Sequence, residues 1–187
     1  MKALLLLLLL ATLFSCAPKV ERACPPAREV ALKYRERYVP SNFRIYGLLE
    51  YGPLKFPMML AKYDNFYTVK VARAGDVEMK RNRVCVRGKC YLLPAPPEDL
   101  IFGRLLNGRE YSFCRGRTLY FRDRGKVYER VVSFLNGKPL EVSLINLRTN
   151  RSVRVLLKKE DKRGFFREII FIFEGTEVKL IVEEVET

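Results

Sequence analysis

The sequence predicts an α+β fold: one large curved antiparallel sheet with an N-terminal helix and a short central helix. Three observations carry this. From Asn42 onward apolar and polar residues alternate with a period of two, the pattern of half-buried strands. Turn residues such as Asp64-Asn65, Asn136-Gly137 and Glu174-Gly175 punctuate the alternation at short intervals, as hairpins require. Two stretches, beginning at Ala27 and Pro97, break the pattern with helix-forming composition.

The elements follow in order. Lys2 and the apolar run from Ala3 to Phe14 have the layout of a secretory signal. The run is too short for a membrane span, which needs roughly 20 apolar residues. It ends in Leu13-Phe14-Ser15-Cys16-Ala17, which resembles the lipobox of bacterial lipoproteins. That resemblance implies cleavage before Cys16 and acylation of its thiol and new amine, leaving residues 1–15 as signal peptide. Ala17, where Asp would favour the inner membrane, points to the outer membrane facing the periplasm. Residues 16–26, with Pro18, Pro25 and Pro26, then form a lipidated tether, and 27–187 a single domain.

Ala27 to Tyr38 reads as an amphipathic helix, with Val30, Tyr34 and Tyr38 at four-residue spacing and Pro40 closing it. Strands follow at Phe43–Tyr51, at Phe56–Tyr63 with Pro57 suggesting an edge or bulge, and around Tyr67, Val69 and Val71. Val77–Val86 and Lys89–Leu93 form a hairpin about Arg87-Gly88. Pro97, Glu98 and Asp99 start a second helix that runs through Ile101–Leu106 to Asn107-Gly108. Strands resume at 111–114, 119–122, 127–135, 140–145, 153–157, 165–173 and 178–185.

Several strands keep bulky apolar residues on one alternation set: Phe43, Ile45 and Leu49; Val69 and Val71; Leu119 and Phe121; Val142 and Leu144; Val155; Leu180. Two short helices offer too little surface to cover them all. These residues are therefore candidates to line a lipid or acyl-chain site. The same alternation is also what an ordinary packed core requires.

Composition excludes much chemistry. The chain has no histidine, which removes imidazole general bases, Ser-His and Cys-His nucleophile pairs and the usual metal ligands. No phosphate loop or nucleophile motif is present. The expectation is a binding protein without catalytic residues, metal or cofactor. Of five cysteines, four remain after Cys16, and an even count in an exported chain reads as disulfides. The Arg87-Gly88 turn sets Cys85 opposite Cys90 at bridging distance. Cys24 and Cys114 then pair by elimination. The net charge of +14 falls only to +13 with the signal, which carries one lysine and no acid. Such a balance suits anionic surfaces. Behind an export signal these are lipid headgroups or acidic envelope polymers and not nucleic acid.

The order of elements, and chiefly the start Asn42-Phe43-Arg44-Ile45-Tyr46-Gly47, is similar to the LolA/LolB lipoprotein-carrier superfamily. This resemblance implies an incomplete β-barrel lidded by helices, with acyl chains of lipid or of other lipoproteins as cargo. A LolB-like protein would also need an exposed apolar insertion loop, for which Leu54–Leu60 and Leu100–Leu106 are candidates. The competing expectation is a structural or assembly lipoprotein that recognises a protein partner or an anionic wall polymer through basic runs such as Arg115-Gly116-Arg117 and Arg122-Asp123-Arg124.

Overall fold

The computed structural model describes residues 24–73, 77–86 and 88–187. The signal segment, Cys16 and the tether up to residue 23 lie outside them, as does Arg87 of the expected turn. Helix α1 (Ala27–Arg35) and helix α2 (Pro97–Phe102) accompany thirteen strands. These are β1 (Phe43–Tyr51), β2 (Leu54–Tyr63), β3 (Phe66–Val71), β4 (Val77–Lys80), β5 (Arg83–Val86), β6 (Lys89–Leu92), β7 (Tyr111–Arg115), β8 (Thr118–Arg124), β9 (Tyr128–Leu135), β10 (Lys138–Asn146), β11 (Ser152–Glu160), β12 (Phe166–Phe173) and β13 (Thr176–Glu186).

Ten strands form one antiparallel sheet in the order β3-β2-β1-β13-β12-β11-β10-β9-β8-β7. Its end strands, β3 and β7, do not pair with each other, so the curved sheet is not closed into a barrel. The remaining three, β4-β5-β6, make a separate small sheet. This differs from the expectation of one large sheet holding every strand. The turn at Arg81 (φ 52°) divides the expected strand Val77–Val86 into β4 and β5, and the chain leaves the main sheet after β3.

Both helices are shorter than their patterns suggest. α1 presents Val30 and Tyr34 inward, with Glu29 in its first turn and Lys33 and Arg35 in its last, each sign matched to the helix dipole. It stops before Tyr38, which is 81% exposed. α2 ends at Phe102 because Gly103 adopts the left-handed cap (φ 76°). The amides of Leu105 and Leu106 donate instead to the carbonyl of Tyr34, tying the two helical segments together.

Pro57 does not lie on an edge strand, since β2 sits between β1 and β3. β3 ends at Val71, opposite Met58, and Ala72 N–H donates to the Pro57 carbonyl. A strand residue points its N–H and C=O to the same side. The missing proline N–H therefore forgoes only the return bond to Ala72, at the last rung of the β2–β3 ladder.

Candidate functional site

The strand registers assign the inner face of the sheet. Ile45 opposes Leu60, Leu49 opposes Phe56 and Leu180, Leu180 opposes Ile169, and Val142 opposes Val155. Along each strand this face divides into two halves, one at the helix end and one at the opposite end.

The helix end is filled. Phe43, Ile45, Leu119, Phe121, Val142, Val155 and Leu180 are all buried there in one cluster with Val30 and Tyr34 of α1 and Leu100, Ile101 and Phe102 of α2. Aromatic rings interlock between the layers: Tyr34 on Phe134 at 5.0 Å and Phe43 on Phe102 at 5.3 Å, centroid to centroid. Seven of the eleven candidate lining residues thus lie in the buried cluster that the helices complete. The second candidate insertion loop lies in the same cluster, with Leu100, Ile101, Phe102, Leu105 and Leu106 all buried. That segment is no exposed loop, because its apolar side chains seal the sheet.

Charged groups hold the helical cover in place. Glu98, 4% exposed, accepts from Lys62 Nζ and from the Tyr67 hydroxyl, both at 2.7 Å. Burial and then this carboxylate push the Tyr67 hydroxyl well above the usual phenol value. Arg130 donates to the carbonyls of Pro94 (2.7 Å) and Leu105 (2.6 Å) and pairs with Glu110 at 3.2 Å. Burial lowers the Arg130 pKa despite the acids around it. Burial also raises Asp99 above the usual carboxylate range, although its partner Arg104 opposes the shift. Arg37, just beyond α1, pairs with Glu160, donates to the Gly164 carbonyl at 2.7 Å and lies 4.5 Å above the Tyr34 ring. Burial pushes the Tyr34 hydroxyl up to about 12.

The opposite half is only partly covered. Leu49, Val71 and Leu144 are half-buried there, as is Val69, the remaining candidate, which lies level with Leu60 and packs against the filled cluster. So are four inner-face residues not among the candidates: Phe56 and Met58 on β2, Phe171 and Phe173 on β12. Phe171 and Phe173 stand nearly parallel with centroids 6.2 Å apart, and Tyr91 of the small sheet packs on Phe173 at 5.0 Å. Between β6 and the ends of β10, β11 and β12 lies a cleft of about 300 Å³, walled by Tyr91, Leu92, Leu144, Val153 and Phe173. Arg151 and Glu174 pair at its rim at 3.1 Å. This volume is at the small end of the roughly 300–1,000 Å³ of small-molecule sites. Alternation marks Phe171 and Phe173 as inner-face residues, but coverage by a separate sheet had no signal of its own.

A second cleft of about 420 Å³ is lined by Lys33, Lys138, Lys159, Glu160 and Asp161. Its acids are already engaged: Glu160 by Arg37, and Asp161 by Arg167 (2.6 Å) and the amides of Arg163 and Phe165. Two disulfides are present, Cys85–Cys90 across β5 and β6, and Cys24–Cys114 joining the start of the described chain to β7. Among the described residues no group of acids or cysteines could hold a metal ion, and no helix is long and apolar enough to cross a membrane.

No protein-family model matches the chain, and no curated protein sequence matches it. Among solved structures the chain is similar to a crystal structure of a LolA superfamily protein from Nitrosomonas europaea. The two are 13% identical with a TM-score of 0.49, over 86% of this chain and 92% of that one.

Proposed function

We propose that this chain is a lipoprotein of the bacterial envelope, anchored through acylated Cys16 in the outer membrane, whose domain holds an acyl chain in the uncovered half of its sheet. The observation that carries the reading is the half-exposed apolar row around Leu49, Phe56, Leu144, Phe171 and Phe173, continuous with the buried core and ending in the cleft beside Tyr91. An alkyl chain laid along it would contribute about 0.8 kcal/mol per methylene removed from water. The rim pair Arg151–Glu174 is exposed on both partners, so its arginine is placed to turn toward an anionic headgroup. The filled half acts as a rigid backing, and Leu49, Val69, Val71 and Leu144 are the residues assigned to the guest. Two disulfides support an oxidising compartment, and the leader up to Ser15 supports export.

The test is uptake of a fluorescent fatty acid by the mature protein, with mass spectrometry of its organic extract. Leu144→Arg places a charge at the cleft wall and is expected to weaken uptake about tenfold or more, a cost of about 1.4 kcal/mol. Protein that takes up no fatty acid and releases no amphiphile on extraction would refute the carrier reading.

A further inference from the structure

We infer that the outer face of β7 and β8 is the surface this domain lays against the anionic phospholipid leaflet that carries its own anchor. The inference rests on the reading of Cys16 as the lipidated residue.

The first argument is reach. Cys24 is bonded to Cys114 on β7, an edge strand of the large sheet. Cys16 and Cys24 are eight residues apart. At roughly 3.3–3.6 Å per residue, a fully extended chain between them spans about 28 Å. A folded chain of this length has a diameter of about 40 Å. Poses with β7 on the far side of the domain are therefore out of reach, and the disulfide keeps this edge turned toward the bilayer.

The second argument is what this edge displays. Tyr111, Phe113 and Arg115 alternate on the side of β7 opposite Cys114, and Phe113 opposes Tyr120 while Tyr111 opposes Arg122. The Phe113 and Tyr120 rings stack at 5.1 Å with an 11° interplanar angle. The Arg122 guanidinium lies 5.1 Å from the Phe113 centroid and donates to the Tyr111 hydroxyl at 3.4 Å. Tyr111 is 52% exposed. Arg115, Arg117 and Arg124 are exposed around this aromatic group. Glu129, buried on the same face, is shared between Arg122 (3.4 Å) and Arg124 (3.7 Å). Arg117 donates to the neutral amide of Asn136 at 3.4 Å.

Arginine forks match phosphate oxygens, and tyrosine rings sit at the headgroup level with an apolar body and a polar tip. An aromatic patch ringed by arginines, on the edge where the anchor chain arrives, has the chemistry of an anionic lipid surface.

The chain contains no tryptophan, so one introduced indole reports alone. The full mature protein would be reconstituted in vesicles of phosphatidylglycerol and phosphatidylethanolamine with brominated chains. Tyr111→Trp is expected to be quenched several-fold more strongly than Leu54→Trp, an exposed control at the start of β2. Arg115→Glu combined with Arg117→Glu, or replacement of phosphatidylglycerol by phosphatidylcholine, should abolish that difference. Intact mass reports the anchor separately. Acylated protein in which Leu54→Trp is quenched as strongly as Tyr111→Trp, or in which the quenching ignores headgroup charge, overturns the docking face and leaves the anchor standing. Protein with unmodified Cys16 overturns both.

Discussion

At Gly47 the absence of a side chain decides how the first and last strands meet. A Cβ there would lie 2.0 Å from the Ile181 carbonyl oxygen, where the β1–β13 register slips between Tyr46 and Gly47. The obstacle is backbone, so it cannot rotate away. Gly47→Ala is expected to cost about 3 kcal/mol, read as a lower urea midpoint with an unchanged slope. Arg37 is a second such residue, since its removal leaves Glu160 and the Gly164 carbonyl without their donor. Arg37→Ala should destabilise by about 3 kcal/mol and lower the melting temperature. Asp161 contributes to acid stability. Burial raises its pKa, but the Phe165 and Arg163 amides and Arg167 outweigh that and hold the carboxyl below its ordinary 3.8. A depressed folded pKa gives stability that is present above 3.8 and is lost as pH falls through the folded value. Asp161→Asn should therefore flatten the fall in melting temperature below 3.8, and an unchanged acid limb would contradict the assignment.

Among the elements, hairpins that announce themselves in sequence do so through residues tolerant of positive φ. Asn136-Gly137 (φ 53° and 75°) and Glu174-Gly175 (φ 47° and 84°) both turn with two positive φ angles, and the Asn-Gly pair is the strongest such signal. The division between β4 and β5 was illegible for the same reason, because Arg81 takes a positive φ with no glycine to advertise it. The apolar run Ile101–Leu106 looks helical in sequence, while the left-handed Gly103 ends α2 at Phe102. The small sheet has its own staple. Cys85–Cys90 closes a separation of only five residues, so by chain entropy its loss costs about 2 kcal/mol. Cys90→Ser should speed amide exchange in β5 and β6 by more than in β11 and β12.

For the whole molecule the larger constraint is Cys24–Cys114, with a separation of 90 residues. The same entropy argument gives about 4.5 kcal/mol for it. Cys114→Ser should accordingly lower the urea midpoint about twice as far as Cys90→Ser, and equal losses would refute the loop-length account. The candidate site was half legible for a reason that belongs to this scale. Alternation tells which residues share a face, and it placed Phe43, Ile45, Leu49 and Leu144 on one surface. It does not tell which part of that surface another element covers, because coverage depends on where β4–β6 and the helices come to rest. Buried Ile45 and half-exposed Leu49 have the same signature in sequence and opposite surroundings in the fold.

In a closed barrel strand number and stagger set the bore, and changing it means breaking ladder bonds. Here β3 and β7 never join. The sheet can tighten or relax its curl through side-chain repacking alone, with every interstrand hydrogen bond kept. For the acyl-chain carrier proposed above, the girth of the guest would then follow how easily Met58, Phe171 and their neighbours shift, and not a rigid ring of backbone.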